Sequence, residues 1–472
     1  MKFLLIEPNN DWPSAYNHLK MVKVGILLIA AEIRAAGHEV KVFSEALSGP
    51  IERHWELIEW ADVIGLSIIT AFAPDAYEIA DLIRKKYPKK ILIAGGVHPT
   101  FRADEALEHF DLVFRHRSSL TMRKFLEGGD MDYSINGISY RDGEKRIHNP
   151  DAELTEDLDS LLTPAYGAVI KPRKLPVGFA GSFETASSCP QRCDFCSVRP
   201  MMGDFVFSSP DTVVKQITAM QAAFGITRVL VAVDNFCADR ERCLAVVDGI
   251  NRAIQDGKIT FFRGGFQCAV TMPLDKTFLR AIKPVWETIA VGLENIREDS
   301  YKKRGDLARV ENFFRTIAEW GFHPHAMLIV DPDTTLEEMY RTVKKLREWK
   351  VQTAQFTVLT PLPGSLLYKR LVKQGDLDPE KQNWNIYNTF NTAPCYSPEL
   401  GDLMNFGSVF FNSPRLGIEK ILSYLKQGNR MDDSLHRFVY SIAIWEPAMR
   451  WALRNRGWKG LARALKWSAG FK

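Results

Sequence analysis

Short apolar strands followed by helical patterns recur along most of this chain, and that alternation constrains its fold more than any other feature. Lys2–Glu7, His38–Phe43, Ala61–Ile69 and Lys90–Gly95 read as strands, with helical patterns at Leu27–Ala36 and Ala76–Tyr87. Short apolar runs between helices suit a parallel sheet covered on both faces. The pattern resumes at Gly178–Thr185, Arg228–Asp234, Thr260–Gly265, Thr288–Glu294, His325–Val330 and Ala354–Thr360, again with helical segments between strands. Such strand–helix repeats predict a partial (β/α) barrel. At 472 residues the chain is too long for one core. We expect an α/β domain over 1–140, a linker over 141–177, a (β/α)6 TIM-like barrel over 178–390 and a helical region over 391–472. A hairpin is expected at Ile135–Asn149, with Asp142-Gly143 as its turn.

Between the first and second barrel strands lies Ser188-Cys189-Pro190-Gln191-Arg192-Cys193-Asp194-Phe195-Cys196-Ser197, a CxxxCxxC run. Three thiolates can hold three irons of a cubane 4Fe–4S cluster and leave the fourth iron open to a small molecule. Four-cysteine patterns close every iron and carry electrons only. Zinc sites usually show two separated CxxC pairs or a Cys/His mixture, and Cys237, Cys243, Cys268 and Cys395 are scattered. Cys189, Cys193 and Cys196 are therefore the expected metal ligands and catalytic residues.

Parallel sheets bind ligands beyond the carboxyl ends of their strands. In the first domain those ends carry Ser67, Thr70, Gly95, Gly96 and His98; in the barrel they carry Asp234, Asn235, Gln267 and Glu294. The double glycine lets backbone approach a bulky ligand. A lone histidine after a glycine turn is more often a satisfied loop residue than a ligand, and a strand-end acid is often an ordinary cap or ion-pair member.

The cysteine run resembles that of the radical S-adenosylmethionine superfamily. The first domain resembles the Rossmann-like cobalamin-binding domain placed ahead of many such cores, through Val24–Leu28, Ala36-Gly37-His38-Glu39-Val40, Ile64-Gly65-Leu66-Ser67 and Gly95–Thr100. The resemblance implies a 4Fe–4S cluster, S-adenosylmethionine and cobalamin as cofactors, and a 5′-deoxyadenosyl radical. It implies that Phe195 packs near the adenine, that Asp234 and Asn235 meet the amino-acid end of S-adenosylmethionine, and that Glu294 of Gly292-Leu293-Glu294 hydrogen-bonds the cofactor. Thr360–Ser365 matches the sixth-strand continuation, whereas Asp331–Thr334 matches its turn loosely. Two features depart from the family: a DxHxxG loop is missing, and Phe114-Arg115-His116-Arg117-Ser118-Ser119 stands where Gly-Glu-Gly-Glu is usual. A retained fold with an empty cobalamin site stays open as the alternative.

The tail, His436–Lys472, holds eight Lys or Arg against Glu446 alone, together with Trp445, Trp451, Trp458 and Trp467. A basic, tryptophan-bearing helix suits a membrane interface; packing on the barrel is the competing reading. Net charge of +4 is too small to imply nucleic acid. No signal peptide or transmembrane run is read, and an odd cysteine count suits a reducing interior, so a cytoplasmic protein, peripheral on the inner membrane face, is expected. The layout looks like radical enzymes of the hopanoid methylase and anaerobic porphyrin cyclase types. It implies cobalamin-dependent C-methylation of an apolar, lipid- or isoprenoid-like small molecule, with a flavodoxin- or ferredoxin-type reductant. Radical cyclisation, coupling or rearrangement without cobalamin is the alternative, and a cluster-bearing electron carrier is a third reading.

Overall fold

A computed structural model describes residues 1–10, 20–129, 131–154, 157–176, 179–297, 306–413 and 431–468, with the side chains of 431–444 excepted. It holds two large sheets. The first comprises β1 (Lys2–Glu7), β2 (Glu39–Ser44), β3 (Val63–Ser67), β4 (Ile91–Gly95), β5 (Leu112–Phe114), β6 (Ile138–Asp142) and β7 (Lys145–His148). Its order is β2-β1-β3-β4-β5-β6-β7. The first five strands are parallel, and the β6–β7 hairpin closes the edge antiparallel. This is the doubly wound order whose switch point falls between β1 and β3, where such sheets open a crevice for a ligand.

The small pair β9 (Ala186–Ser187) and β10 (Val206–Phe207) brackets the cysteine loop. The barrel sheet comprises β8 (Gly181–Phe183), β11 (Arg228–Val231), β12 (Arg263–Cys268), β13 (Trp286–Glu294), β14 (His323–Val330) and β15 (Thr353–Val358), all parallel, in the order β15-β14-β13-β12-β11-β8. The fold class read from the sequence is thus present. One strand moved: Gly264 and Gly265 read as the end of the third barrel strand but lie inside β12. A β-carbon at Gly264 would come 2.4 Å from the Trp286 ring, so the glycine makes room for a neighbouring indole and does not break the strand.

The connector after the hairpin is anchored. Ile170 N–H donates to Val42 O at 2.8 Å, extending the β2 edge, and the Tyr166 hydroxyl donates to Ser182 O at 2.7 Å. From the other direction the chain beyond β15 packs back on the first domain: Leu367, Leu371, Trp384 and Tyr387 share a core with Ile64, Leu66 and Phe110. Gly364 (φ +89°) sits against Phe101, whose ring would lie 2.4 Å from an added β-carbon.

His98 helps make this joint. Its Nε2 lies 3.3 Å from Glu105 Oε1, Trp384 Nε1–H donates to the same oxygen at 2.7 Å, and Arg102 Nε–H donates to Oε2 at 2.9 Å. Burial alone would raise the Glu105 carboxyl, but hydrogen bonds from His98 and Arg102 and the Arg102 charge outweigh it and hold the group at about 2. Burial lowers His98 itself, so at neutral pH it serves as a neutral hydrogen-bonding partner and Arg102 supplies the charge. A depressed folded-state carboxylate stabilises above its unfolded pKa, and that stability is lost as pH falls toward the folded value. Glu105→Gln should therefore destabilise the protein by about 2 kcal/mol at neutral pH and flatten the loss between about pH 5 and 2. Thermal melts across that range check it.

The C-terminal helices pack on each other and at the β15 edge of the barrel sheet. Glu399–Phe411 lies against β15, and Met431–Ser468 changes direction at Gly457 (φ 60°, ψ −161°). Much of the helix expected over Pro398–Gln427 falls outside the described residues. Among the described residues no helix is long and apolar enough to cross a membrane.

Candidate functional site

The carboxyl ends of the two parallel sheets face each other, and a cavity opens at each. The barrel cavity, about 430 Å³, is lined by Phe195, Cys196, Glu184 and Asp234 on one side and by the ends of β14 and β15 on the other. The first-sheet cavity, about 380 Å³, lies over the switch point, between Leu5, Gly65–Ile69 and Gly95–Val97. Ile69, Val97, Glu184, Met201, Met202 and Ala232 line both, so the two spaces adjoin along a shared set of residues.

The cysteine loop is held by its own backbone. Ser188 takes a left-handed conformation (φ 69°), and its hydroxyl donates to Gly203 O at 2.7 Å. Cys196 N–H donates to Cys193 O at 3.2 Å, and Val198 N–H donates to Cys196 Sγ at 3.4 Å. Leu367 N–H donates to Asp194 O at 2.8 Å, which ties the loop to the segment beyond β15. Cys189, Cys193 and Cys196 are half-buried thiols outside any disulfide. Burial pushes the Cys196 thiol up to about 11, against a lowering by the Val198 amide, and the nearby charges of Asp234, Cys193 and Cys189 add lesser raises. Three thiols on one loop within electrostatic reach, with one sulfur at a cavity wall, fit a cluster with an open iron. Bound metal would supply the positive charge that three thiolates need. Among the described residues no three Cys, His, Asp or Glu side chains are already closed into a metal cage.

Asp234 is exposed to the barrel cavity, yet protein atoms crowd around it, and that desolvation, with Glu184 nearby, pushes its carboxyl up to about 6. Thr70 is buried in the same wall. Ser67, Gly95 and Gly96 line the first-sheet cavity. The other strand-end residues turn elsewhere. Asn235 is buried, and its Oδ1 accepts from Ala269 N–H at 3.3 Å, pinning the loop after β11 to the end of β12. Gln267 is half-buried and accepts at its backbone oxygen from Phe236 N–H at 2.8 Å. Glu294 is buried at a register shift in β13 with φ 64°, a strained backbone at the strand end. Asn235, Gln267 and Glu294 line neither cavity, and His98 is committed to Glu105 and Trp384.

Glu184 and Arg117 were missed as site residues. Glu184 directly follows β8, so the strand-end rule could have found it. Nothing local to the sequence around Arg117 reveals a partner 67 residues away.

Comparison with known proteins agrees with this arrangement. Residues 18–126 match the B12 binding domain family. An uncharacterized methyltransferase of Pyrococcus horikoshii is 23% identical over 70% of this chain and 73% of its own length. The anaerobic magnesium-protoporphyrin IX monomethyl ester cyclase of Cereibacter sphaeroides is 22% identical over 81% of this chain and 66% of its own. In fold, the chain superposes on TsrM from Kitasatospora setae, a radical S-adenosylmethionine methyltransferase solved with cobalamin and a [4Fe-4S] cluster bound. The TM-score is 0.63 at 18% identity, covering 79% of this chain and 75% of that one. By sequence, then, residues 18–126 are similar to B12 binding domains, and in fold the chain is similar to a radical S-adenosylmethionine methyltransferase.

Proposed function

We propose that this chain is a cobalamin-dependent radical C-methyltransferase acting on an apolar, lipid- or isoprenoid-like small molecule. The observation that carries the reading is the shared lining: a cluster-loop cavity and a switch-point cavity adjoin along six common residues. When bound, the cluster with S-adenosylmethionine supplies a 5′-deoxyadenosyl radical, and cobalamin supplies the methyl group. Cys189, Cys193 and Cys196 would hold the cluster. Gly65, Gly95 and Gly96, with Ser67, would cradle the corrinoid, since a bulky ring needs backbone without side chains beneath it.

The barrel cavity favours an uncharged substrate. Ile329, Val358, Leu359 and Leu362 give it an apolar wall, with Thr357 and Thr360 as hydroxyls. No Lys or Arg lies among the described residues lining it, so a carboxylate or phosphate on the substrate would find no cation. Anaerobic purification from cobalamin-supplied cells should yield about four irons and one corrinoid per chain. Four irons without corrinoid would favour the cyclisation or coupling reading, which the ring cyclase relative and the bulky His116-Arg117 at the first-sheet cavity keep in view.

Reduction of the cluster is assigned to an external flavodoxin- or ferredoxin-type donor. An anionic membrane surface is the second partner in this reading. After Gly457, Leu461, Ala464 and Trp467 pack inward, while Trp458 (77% exposed) and Leu465 (51%) stay out beside Lys459, Arg463 and Lys466. A helix with an exposed apolar edge and flanking cations lies well in a lipid interface. Trp458→Glu should cut flotation with phosphatidylglycerol vesicles about tenfold, and unchanged flotation would remove the membrane from the reading.

A further inference from the structure

Arg117 comes from the loop after β5 of the first domain, yet it ends at the barrel. Its guanidinium donates from Nη1 to Glu184 Oε1 at 2.9 Å and from Nη2 to Oε2 at 2.8 Å, and Nη1 also donates to Ser187 Oγ at 2.8 Å. Both side chains are largely buried, 6% and 14% exposed. The Glu184 backbone is fixed as well: its N–H donates to Gln216 Oε1 at 2.9 Å, and its carbonyl accepts from Gln216 Nε2 at 3.1 Å. A two-pronged Arg–carboxylate pair of this kind is strong and directional, and breaking it leaves a buried charge uncompensated.

The position of this pair gives it a consequence for the site. Ionisable carboxylates on the barrel-cavity wall are Glu184 and Asp234. Glu184 is engaged on both oxygens by Arg117, whereas Asp234 takes no hydrogen bond or ion pair from the described residues. S-adenosylmethionine carries a sulfonium and an ammonium against one carboxylate, so two free acids in one cavity would compete for its cationic end.

We propose that Arg117 is a positioning residue that occupies Glu184 and leaves Asp234, among the described residues, as the sole anionic anchor in the barrel cavity, so that the first domain directs how S-adenosylmethionine is placed. The role holds whether or not a corrinoid fills the neighbouring cavity. It rests on the S-adenosylmethionine part of the proposed function and not on cobalamin.

The test uses the full chain with its cluster reconstituted anaerobically. S-adenosylmethionine is titrated by calorimetry and against the EPR spectrum of the reduced cluster. In Arg117→Met, affinity should stay within about threefold of wild type or tighten, while the fraction of cluster giving the cofactor-bound signal falls about tenfold, because two carboxylates share one cation. Arg117→Met/Glu184→Gln removes the competitor and should restore that fraction to within about twofold of wild type. A merely structural Arg117 would leave the double variant as impaired as the single. Glu184→Gln alone should bind within about twofold of wild type, and Asp234→Asn should bind about tenfold more weakly.

A wild-type-like Arg117→Met, an unrestored double variant, a tenfold loss in Glu184→Gln or normal binding by Asp234→Asn would each overturn the inference. If Arg117→Met fails to load a cluster, the last two variants decide. A cluster-loaded wild type that binds no S-adenosylmethionine would overturn the proposed function along with it.

Discussion

Cys196→Ala protein, reconstituted without oxygen, is expected to lose the intact cubane and at least about a thousandfold in 5′-deoxyadenosine formation, while melting within a few degrees of wild type. The argument separates folding from chemistry. Cys196 is half-buried, and its sulfur accepts one long contact from Val198 N–H, so truncation removes little packing. A half-exposed large-to-small change of this size costs on the order of 1 kcal/mol. The same sulfur faces the barrel cavity. Two thiolates on a solvent-accessible loop do not retain a cubane against hydrolysis as three do. Iron and sulfide assay, EPR of the reduced protein and chromatography of S-adenosylmethionine products give the answer. Full iron content with undiminished cleavage would remove Cys196 from the ligand set.

The second large effect belongs to the glycine turn after β4. Gly96→Ala should destabilise the protein by about 3 kcal/mol or more, whereas Gly95→Ala should fold normally and bind corrinoid at least about tenfold less well. Gly96 sits at φ +106°, and an added β-carbon would come 2.5 Å from Ile68 O and 2.9 Å from Ile68 N. Those neighbours are backbone and cannot swing aside: Ile68 N–H donates to Gly95 O at 2.8 Å, and Ile68 O accepts from His98 N–H at 3.2 Å. At Gly95 the nearest atom to such a carbon is Phe114 O at 3.7 Å, an ordinary contact, so the methyl would intrude on the cavity and not on the fold. Denaturant melts and corrinoid content per chain distinguish the two. Equal stability of both variants would mean that the turn yields more easily than its geometry implies.

Much of this architecture was legible in local pattern because strand and helix periods are set by neighbouring residues. Four parallel strands of the first sheet, the six of the barrel sheet, the cysteine loop between β8 and β11 and the β6–β7 hairpin follow from short-range apolar spacing and turn chemistry, whereas β5, three residues long, carries no such period. The third barrel strand was placed early because Gly264 and Gly265 look like breakers; only Trp286, from the next strand, explains them. Cysteine spacing picks out Cys196, and strand-end position picks out Asp234, Thr70, Ser67, Gly95 and Gly96, all on cavity walls. Strand-end position did not distinguish them from Asn235 or His98, since which way a side chain points beyond a strand depends on what captures it. Ala269 N–H captures Asn235, and Glu105 with Trp384 captures His98.

The two α/β layers, the three-thiol loop and the glycine-rich strand ends are each written within a few consecutive residues, so local pattern specifies them. The meeting of the two sheets at their carboxyl ends, the reach of Arg117 to Glu184 and the return of the segment beyond β15 onto the first domain arise only on folding. Those outcomes depend on burying surfaces and pairing charges contributed by residues far apart in the chain, and no local period records such partners.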